Sequence, residues 1–220
     1  MQALFLRTIH SPQSNFMSAP AKRIEEMLRD AGINPIAGVD EAGRGPCAGP
    51  LVIASVILDD PFADVWAEIR DSKEISEKKR EVLFDVVMES AAAVSVIEVS
   101  PEEIDSRGVH AANLDGMRRA VNGLSLTPAY VLTDGYAIEG LAVPNLAVWK
   151  GDQVVTSISA ASIIAKVTRD RIMREMDEIY PGYGFVGHKG YITAAHTAAI
   201  KELGVLPIHR KSFSNIAALL

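Results

Sequence analysis

At 220 residues, 48% hydrophobic and 23% charged, the chain has room for one large domain with a sizeable core and the composition of an ordinary globule. Its net charge of −6 argues against a protein that coats nucleic acid by bulk electrostatics, although a local basic groove stays compatible with it. The single cysteine, Cys47, excludes an intramolecular disulfide and suits a reducing cytoplasm, and no apolar run approaches the roughly 20 residues of a membrane span.

The N-terminal stretch "MQALFLRTIHSPQSNF" holds Arg7 but no long apolar segment with a small-residue cleavage site, so it does not read as a signal peptide. Met17 offers a second start, which makes residues 1–16 a dispensable extension or a matter of start-site choice, and residues 1–35 together an extension with a short helix. Ile36 to Val39 predicts a short buried strand and Leu51 to Leu58 a second. Between them stand the adjacent acids Asp40 and Glu41, a glycine-rich turn, and Cys47, which reads as a small packed thiol. Two acids at the end of a core strand call for a counter-charge.

Ser76 suits the N-cap of a helix begun by Glu77, with Val82, Leu83, Val86 and Val87 as its buried stripe. "AVSVIEVS" predicts a third strand, and Pro101 opens a helical region whose apolar face is Val109, Leu114, Met117 and Val121. "AYVLTDG" and "NLAVWKGD" predict two short strands, each ending at an aspartate beside a glycine. Residues 155–180 predict one long helix, buried at its start and wet at its end. Beyond a glycine and aromatic loop at 181–189 come a helix near 193–203 and a basic cluster of His209, Arg210 and Lys211. Strands in series, then strands alternating with helices, predict a mixed sheet with helices packed on it.

Asp134 and Asp152 repeat the setting of Asp40: an apolar strand, then an acid, with a glycine before or after it. Functional groups of such sheets gather where neighbouring strand ends diverge. Asp40, Glu41, Asp134 and Asp152 at one edge would repel one another when empty and would form a hard oxygen cage around two divalent cations, magnesium or manganese. Two such ions about 3.5–4 Å apart activate a water and stabilise a departing alkoxide in phosphodiester cleavage. Asp170 competes for a place in the set, but it lies between Arg169 and Arg171 and four residues after Lys166, as a salt-bridged surface acid would.

The stretches "GVDEAGRGPCAGPLV", "DSK", "YVLTDG", "KGD", "SISAASIIAKVTRD" and "GFVGHKGY" resemble, in order and spacing, the motif series of bacterial type 2 ribonuclease H, ribonuclease HII. The resemblance runs from about Ile36 to Phe213. It implies a ribonuclease H-like α/β fold, a central mixed β-sheet flanked by helices, in a catalytic domain at 36–180 with a small helical C-terminal part at 181–220 packed on it. It implies a metal-dependent endoribonuclease that cuts 5' of ribonucleotides embedded in duplex DNA and cleaves the RNA strand of RNA/DNA hybrids, leaving 3'-hydroxyl and 5'-phosphate ends, with a role in ribonucleotide excision.

The family's catalytic and metal-binding acids carry over to Asp40, Glu41, Asp134 and Asp152. Its Gly-Arg-Gly element, here Gly43, Arg44 and Gly45, contacts the 2'-hydroxyl at an RNA to DNA junction, where glycine allows close backbone approach. Its tyrosine that packs on the adjoining deoxyribose corresponds to Tyr191. Lys73, Lys166 and Arg169 are candidates for phosphate contacts that orient the duplex without reading bases. Departures from the family pattern are Glu74 after "DSK", and Arg107 and Gly108 near a helix start. The expected protein is a cytoplasmic monomer without a membrane partner, and recruitment by a sliding clamp stays open. The rival readings are a type 3 ribonuclease H, a non-catalytic binding module of the same fold, and a mononucleotide binder using "GRGPCAG". That last loop lacks the Lys-Ser or Lys-Thr such a site needs.

Overall fold

The seven residues Leu51–Ile57 carry no charge and all are buried, as befits a strand covered on both faces. The structure, a computed structural model, describes residues 23–70 and 76–220. In chain order it runs α1 (Arg23–Asp30), β1 (Ile36–Ala42), β2 (Leu51–Ile57), a 3-10 turn (Asp64–Trp66) continuing as α2 (Ala67–Arg70), α3 (Glu77–Ser90), β3 (Ala93–Val99), α4 (Pro101–Arg107) and α5 (Val109–Asn122). There follow β4 (Tyr130–Asp134), β5 (Asn145–Val148), α6 (Gly151–Val154), α7 (Thr156–Ile179), α8 (Phe185–His188), α9 (Ala194–Leu203) and α10 (Ser214–Ala217). Residues 1–16 and the "DSK" segment with Lys73 and Glu74 lie outside the described residues.

The sheet order is β3-β2-β1-β4-β5, antiparallel across the first three strands and parallel from β1 to β5. On β2, Leu51, Ile53 and Ile57 enter a core built with α4 and α5, where Ile104, Met117 and Val121 are buried. Val52, Ala54 and Val56 enter the opposite core, shared with Leu83 and Val87 of α3 and with Ala160, Ile164 and Val167 of α7. Alternation along each strand thus feeds two apolar layers, one per face.

Gly38 decides how α7 sits on the sheet. A Cβ there would fall 2.1 Å from the carbonyl carbon of Ser157 and 2.3 Å from the nitrogen of Ile158, so only glycine lets helix and strand meet backbone to backbone. The start of α7 is fixed from outside: Glu25 of α1, 1% exposed, accepts hydrogen bonds from the amides of Thr156 (2.8 Å) and Ser157 (3.0 Å) and from the Ser157 hydroxyl (2.5 Å). A carboxylate here satisfies amides that the helix itself leaves orphaned and meets the positive end of its dipole.

Three expectations need correction. Val82 is 56% exposed, because Leu83 and Val87 already define the inward line of α3 and Val82 lies a step round the helix from it. The region opened by Pro101 is two helices, since Gly108 turns to φ +79° and ends α4 with its amide on the Ile104 carbonyl. Asp152 does not end a strand: β5 stops at Val148, Lys150 takes φ +52°, and Asp152 stands in the single turn of α6.

Replacing Glu25 with alanine strands two amides and a hydroxyl at the buried start of α7. The expected loss is about 2–3 kcal/mol of folding stability, measured as a lower urea midpoint at unchanged denaturant slope.

Candidate active site

Strand alternation also sorts the two neighbouring acids. Ala37 and Val39 face the α5 layer and Ala42 the α7 layer, so Asp40 turns toward α7 and Glu41 toward α5. Asp40 accordingly takes a hydrogen bond from Ser162 of α7, and its Oδ1 accepts the Glu41 amide at 2.7 Å. The parallel pairing of Val39 with Thr133 brings Asp134 level with Asp40. Asp134 Oδ1 in turn accepts the Gly151 amide at 2.7 Å, which ties α6 and its Asp152 to the same strand ends.

Burial pushes Asp40, only 5% exposed, well above the usual carboxylate range, and the charges of Glu41 and Asp134 push it further. Burial raises Glu41 to about 7; Arg44 pulls against that rise and Asp134 adds to it. Asp152 is raised by burial and then by Asp134. Asp134 is therefore the negative neighbour common to the other three. Arg44 is the counter-charge that a pair of acids at a strand end called for.

These residues suit a divalent cation. All four offer hard oxygens, their mutual repulsion is what a cation relieves, and Glu41 Oε2 is a buried oxygen with no hydrogen-bond partner. Among the described residues no three His, Cys, Asp or Glu side chains already form a closed ligand set.

Beside them lies the glycine-rich loop, held from behind by two buried arginines. Arg169 donates from Nε to the Pro50 carbonyl (3.0 Å), from Nη1 to that of Lys189 (2.9 Å) and from Nη2 to that of Ala48 (3.1 Å). Arg210 donates to the carbonyls of Gly49 (3.1 and 2.9 Å), Arg44 (3.1 Å) and Gly43 (2.6 Å). Desolvation lowers Arg169 to about 10 and Arg210 to about 9, so both stay charged at neutral pH. Gly43, at φ +93°, makes room for this clamp: a Cβ would sit 1.9 Å from Arg169 Nε.

Arg44 lies 4.5 Å from the centroid of the Tyr136 ring and donates to the Tyr136 hydroxyl. The ring of Tyr191, 51% exposed, approaches to 3.4 Å of where a Gly45 side chain would begin. The Tyr191 carbonyl is anchored by a histidine relay. Because the Leu206 amide donates to His209 Nδ1 (2.8 Å), the His209 proton sits on Nε2 and points at His196 Nε2 (3.1 Å). The His196 proton then sits on Nδ1 and reaches the Tyr191 carbonyl at 2.9 Å. Burial lowers both imidazoles, His209 to about 4.

An open cleft of about 610 Å³ connects these parts, with Glu41, Arg44, Asp152, Lys166, Arg169 and Tyr191 among its walls. Lys166 Nζ pairs with Asp170 Oδ1 at 2.8 Å. Asp170 is thus salt-bridged, but its side chain is only 5% exposed and is not the surface acid expected. The basic cluster of the tail also divides: His209 and Arg210 are buried, one neutral and one clamping the loop, while Lys211 is exposed. Sequence reading missed the loop-clamping Arg210, the helix-capping Glu25 and the buried Asn113, none of which lies in a periodic pattern that singles it out.

A five-stranded mixed sheet with helices on both faces and acids gathered at its strand ends is the architecture of a ribonuclease H enzyme. The family model for Ribonuclease HII matches residues 37–216. Ribonuclease HII of Rhodococcus opacus (strain B4) is 52% identical over 203 residues, 92% of this chain and 90% of that protein. The crystal structure of ribonuclease H2 from Pyrococcus horikoshii OT3 superposes with a TM-score of 0.74 at 29% identity, covering 84% of this chain and 97% of that one. A structure of the PCNA:RNase HII complex from Archaeoglobus fulgidus gives a TM-score of 0.71 at 27% identity, covering 82% and 96%. The chain belongs to the ribonuclease HII family, endoribonucleases that act on RNA/DNA hybrids and depend in general on divalent metal. Among the described residues no helix is long and apolar enough to cross a membrane.

A cation must displace the proton that Glu41 holds up to about pH 7. Binding of Mn²⁺ to the free protein is expected to tighten about tenfold between about pH 6 and about pH 8, followed by calorimetric titration. Without metal the sign for Glu41 runs the other way: its native pKa exceeds the ordinary 4.5, so its contribution to stability falls as pH rises from 4.5 through about 7. Mn²⁺ should flatten that fall.

Proposed function

We propose that this chain is a metal-dependent endonuclease that incises duplex DNA 5' of an embedded ribonucleotide, as well as the RNA strand of hybrids, leaving 3'-hydroxyl and 5'-phosphate ends for ribonucleotide excision. The observation that carries the reading is the meeting, in one cleft, of Glu41 and Asp152 with Arg44, Gly45 and Tyr191. Asp40, Glu41, Asp134 and Asp152 would hold manganese or magnesium. Divalent ions bound there supply a water of lowered pKa and stabilise the departing oxygen.

Gly43, Arg44 and Gly45 present a loop whose backbone is fixed in advance, so little ordering entropy remains to be lost when a ribose 2'-hydroxyl docks. Tyr191, exposed and opposite Gly45, would lie flat on the next sugar, where a 2'-hydroxyl would crowd it. Lys166 is placed for a phosphate contact, and Lys73 is proposed for a second. Arg169 serves the site from behind the loop, its guanidinium already committed to three carbonyls. Residues 181–220 are read as a small subdomain that delivers Tyr191 and Arg210 to the catalytic domain at 36–180. We place the protein in the cytoplasm as a monomer, with a sliding clamp as candidate partner, in keeping with the complex formed by the Archaeoglobus neighbour.

The test is cleavage of a labelled DNA duplex carrying one ribonucleotide, beside an RNA/DNA hybrid and plain DNA, with Mn²⁺, Mg²⁺ or chelator. Metal-dependent incision 5' of the lone ribonucleotide supports the reading; cleavage of the hybrid alone replaces it with type 3 specificity. Asp134→Asn should lower cleavage by about a thousandfold while duplex binding, read by fluorescence anisotropy, holds within about threefold. Arg210→Lys keeps the charge but loses the planar fork. It should lower incision at the lone ribonucleotide by about tenfold and leave Mn²⁺ affinity unchanged.

A further inference from the structure

Asn113 is a fully buried amide with nothing to hold. It stands on α5 with 0% exposure, and neither its Oδ1 nor its Nδ2 has a hydrogen-bond partner. Leaving a polar group so placed costs about 1–3 kcal/mol, which a leucine or methionine at the same point of the core would avoid. The neighbours on its helix, Ala112, Gly116 and Met117, are buried against apolar residues of the sheet.

The exception points at the site. Strand alternation sends Glu41 alone among the four acids into the α5 layer, and the Asn113 amide lies where it favours the ionised form of Glu41. Glu41 Oε2 is itself buried and unpartnered. An amide with unpaired donor hydrogens and a carboxylate oxygen with free lone pairs thus belong to the two elements of the β1–α5 contact, near enough for the amide to favour the Glu41 charge. Arg44, whose charge also favours the ionised form of Glu41, is among the cleft's walls.

We propose that Asn113 is a positioning residue for Glu41 that engages when a divalent cation is bound: its Nδ2–H then donates to Oε2, which leaves Oε1 as the oxygen presented to the cation. The inference rests on the metal-binding reading of the four acids. Asn113 touches no substrate and no metal; it chooses the rotamer and the oxygen, as outer partners of ligating carboxylates do. With the cation bound, the second oxygen of Glu41 is then not left bare in the core.

The role separates from a structural one because the two predict opposite signs for stability. Asn113→Leu fills the same space without polar atoms, so the metal-free protein should melt at the same temperature or a few degrees higher. Its Mn²⁺ affinity, measured calorimetrically on the free protein, should fall by about tenfold. With Mn²⁺ raised to saturation, kcat on an RNA/DNA hybrid should return to within about threefold of wild type, since the lost term lies in holding the ligand. Asn113→Ala, which leaves space for a donor water, should lose less affinity than the leucine variant, and it serves as the measured variant if leucine does not fold. Mn²⁺ affinity within twofold of wild type in both variants overturns the proposal. Wild-type protein that binds no Mn²⁺ overturns the metal reading instead, a different result in a different sample.

Discussion

The contact between α7 and β1 at Gly38 is the constraint on which the site depends. A helix that meets a strand backbone to backbone comes closer than side chains would allow, and the space for a Cβ does not exist there. From that approach α7 delivers Ser162 to Asp40, Lys166 to the cleft, and Arg169 to the back of the glycine loop. Its first turn is held by Glu25, whose carboxylate takes the place of an N-cap side chain. One missing methyl group thereby fixes the distance between the strand that carries two of the acids and the helix that packs on it.

The second organising fact is that strand alternation turns neighbouring side chains to opposite faces. Asp40 and Glu41 still repel one another and share Asp134 as a negative neighbour, but Asp40 takes its hydrogen bond from Ser162 of α7 while Glu41 meets Arg44 and the α5 layer. The strand ends rather than any single loop assemble the charge, and Arg44 offsets part of it at Glu41. Three carboxylates raised by burial and by one another mark this cleft as a candidate functional site.

Much of this was legible in the chain. The unbroken apolar run at Leu51–Ile57, the buried first half of α7 and the N-cap at Ser76 follow from local pattern alone, and the acids stood out because each follows an apolar run with a glycine near it. What was not legible depends on partners far away in sequence. Arg210 reads as part of a wet basic cluster until its fold places three carbonyls of residues 43–49 around it. Glu25 lies in a segment that resembles an extension, and only the tertiary approach of Thr156 and Ser157 gives it a task. Asp152 follows an apolar run as the other acids do, yet the left-handed turn at Lys150 moves it from a strand end to a helical turn. Periodicity reports which face is buried; it does not report which polar group waits there.

The paired arginines behind the glycine loop also bear on how an acidic chain draws a polyanion. Salt ions do not enter the interior, so the field of Arg169 and Arg210 is screened less than that of lysines on the surface. Neither guanidinium needs to touch a phosphate to contribute to it. Counterion release, which makes nucleic-acid binding fall steeply with ionic strength, counts only the phosphates that are neutralised by contact. A protein that holds part of its positive charge beneath the binding loop therefore gains attraction without a matching increase in salt sensitivity, and its formal charge of −6 understates what the duplex meets at the cleft.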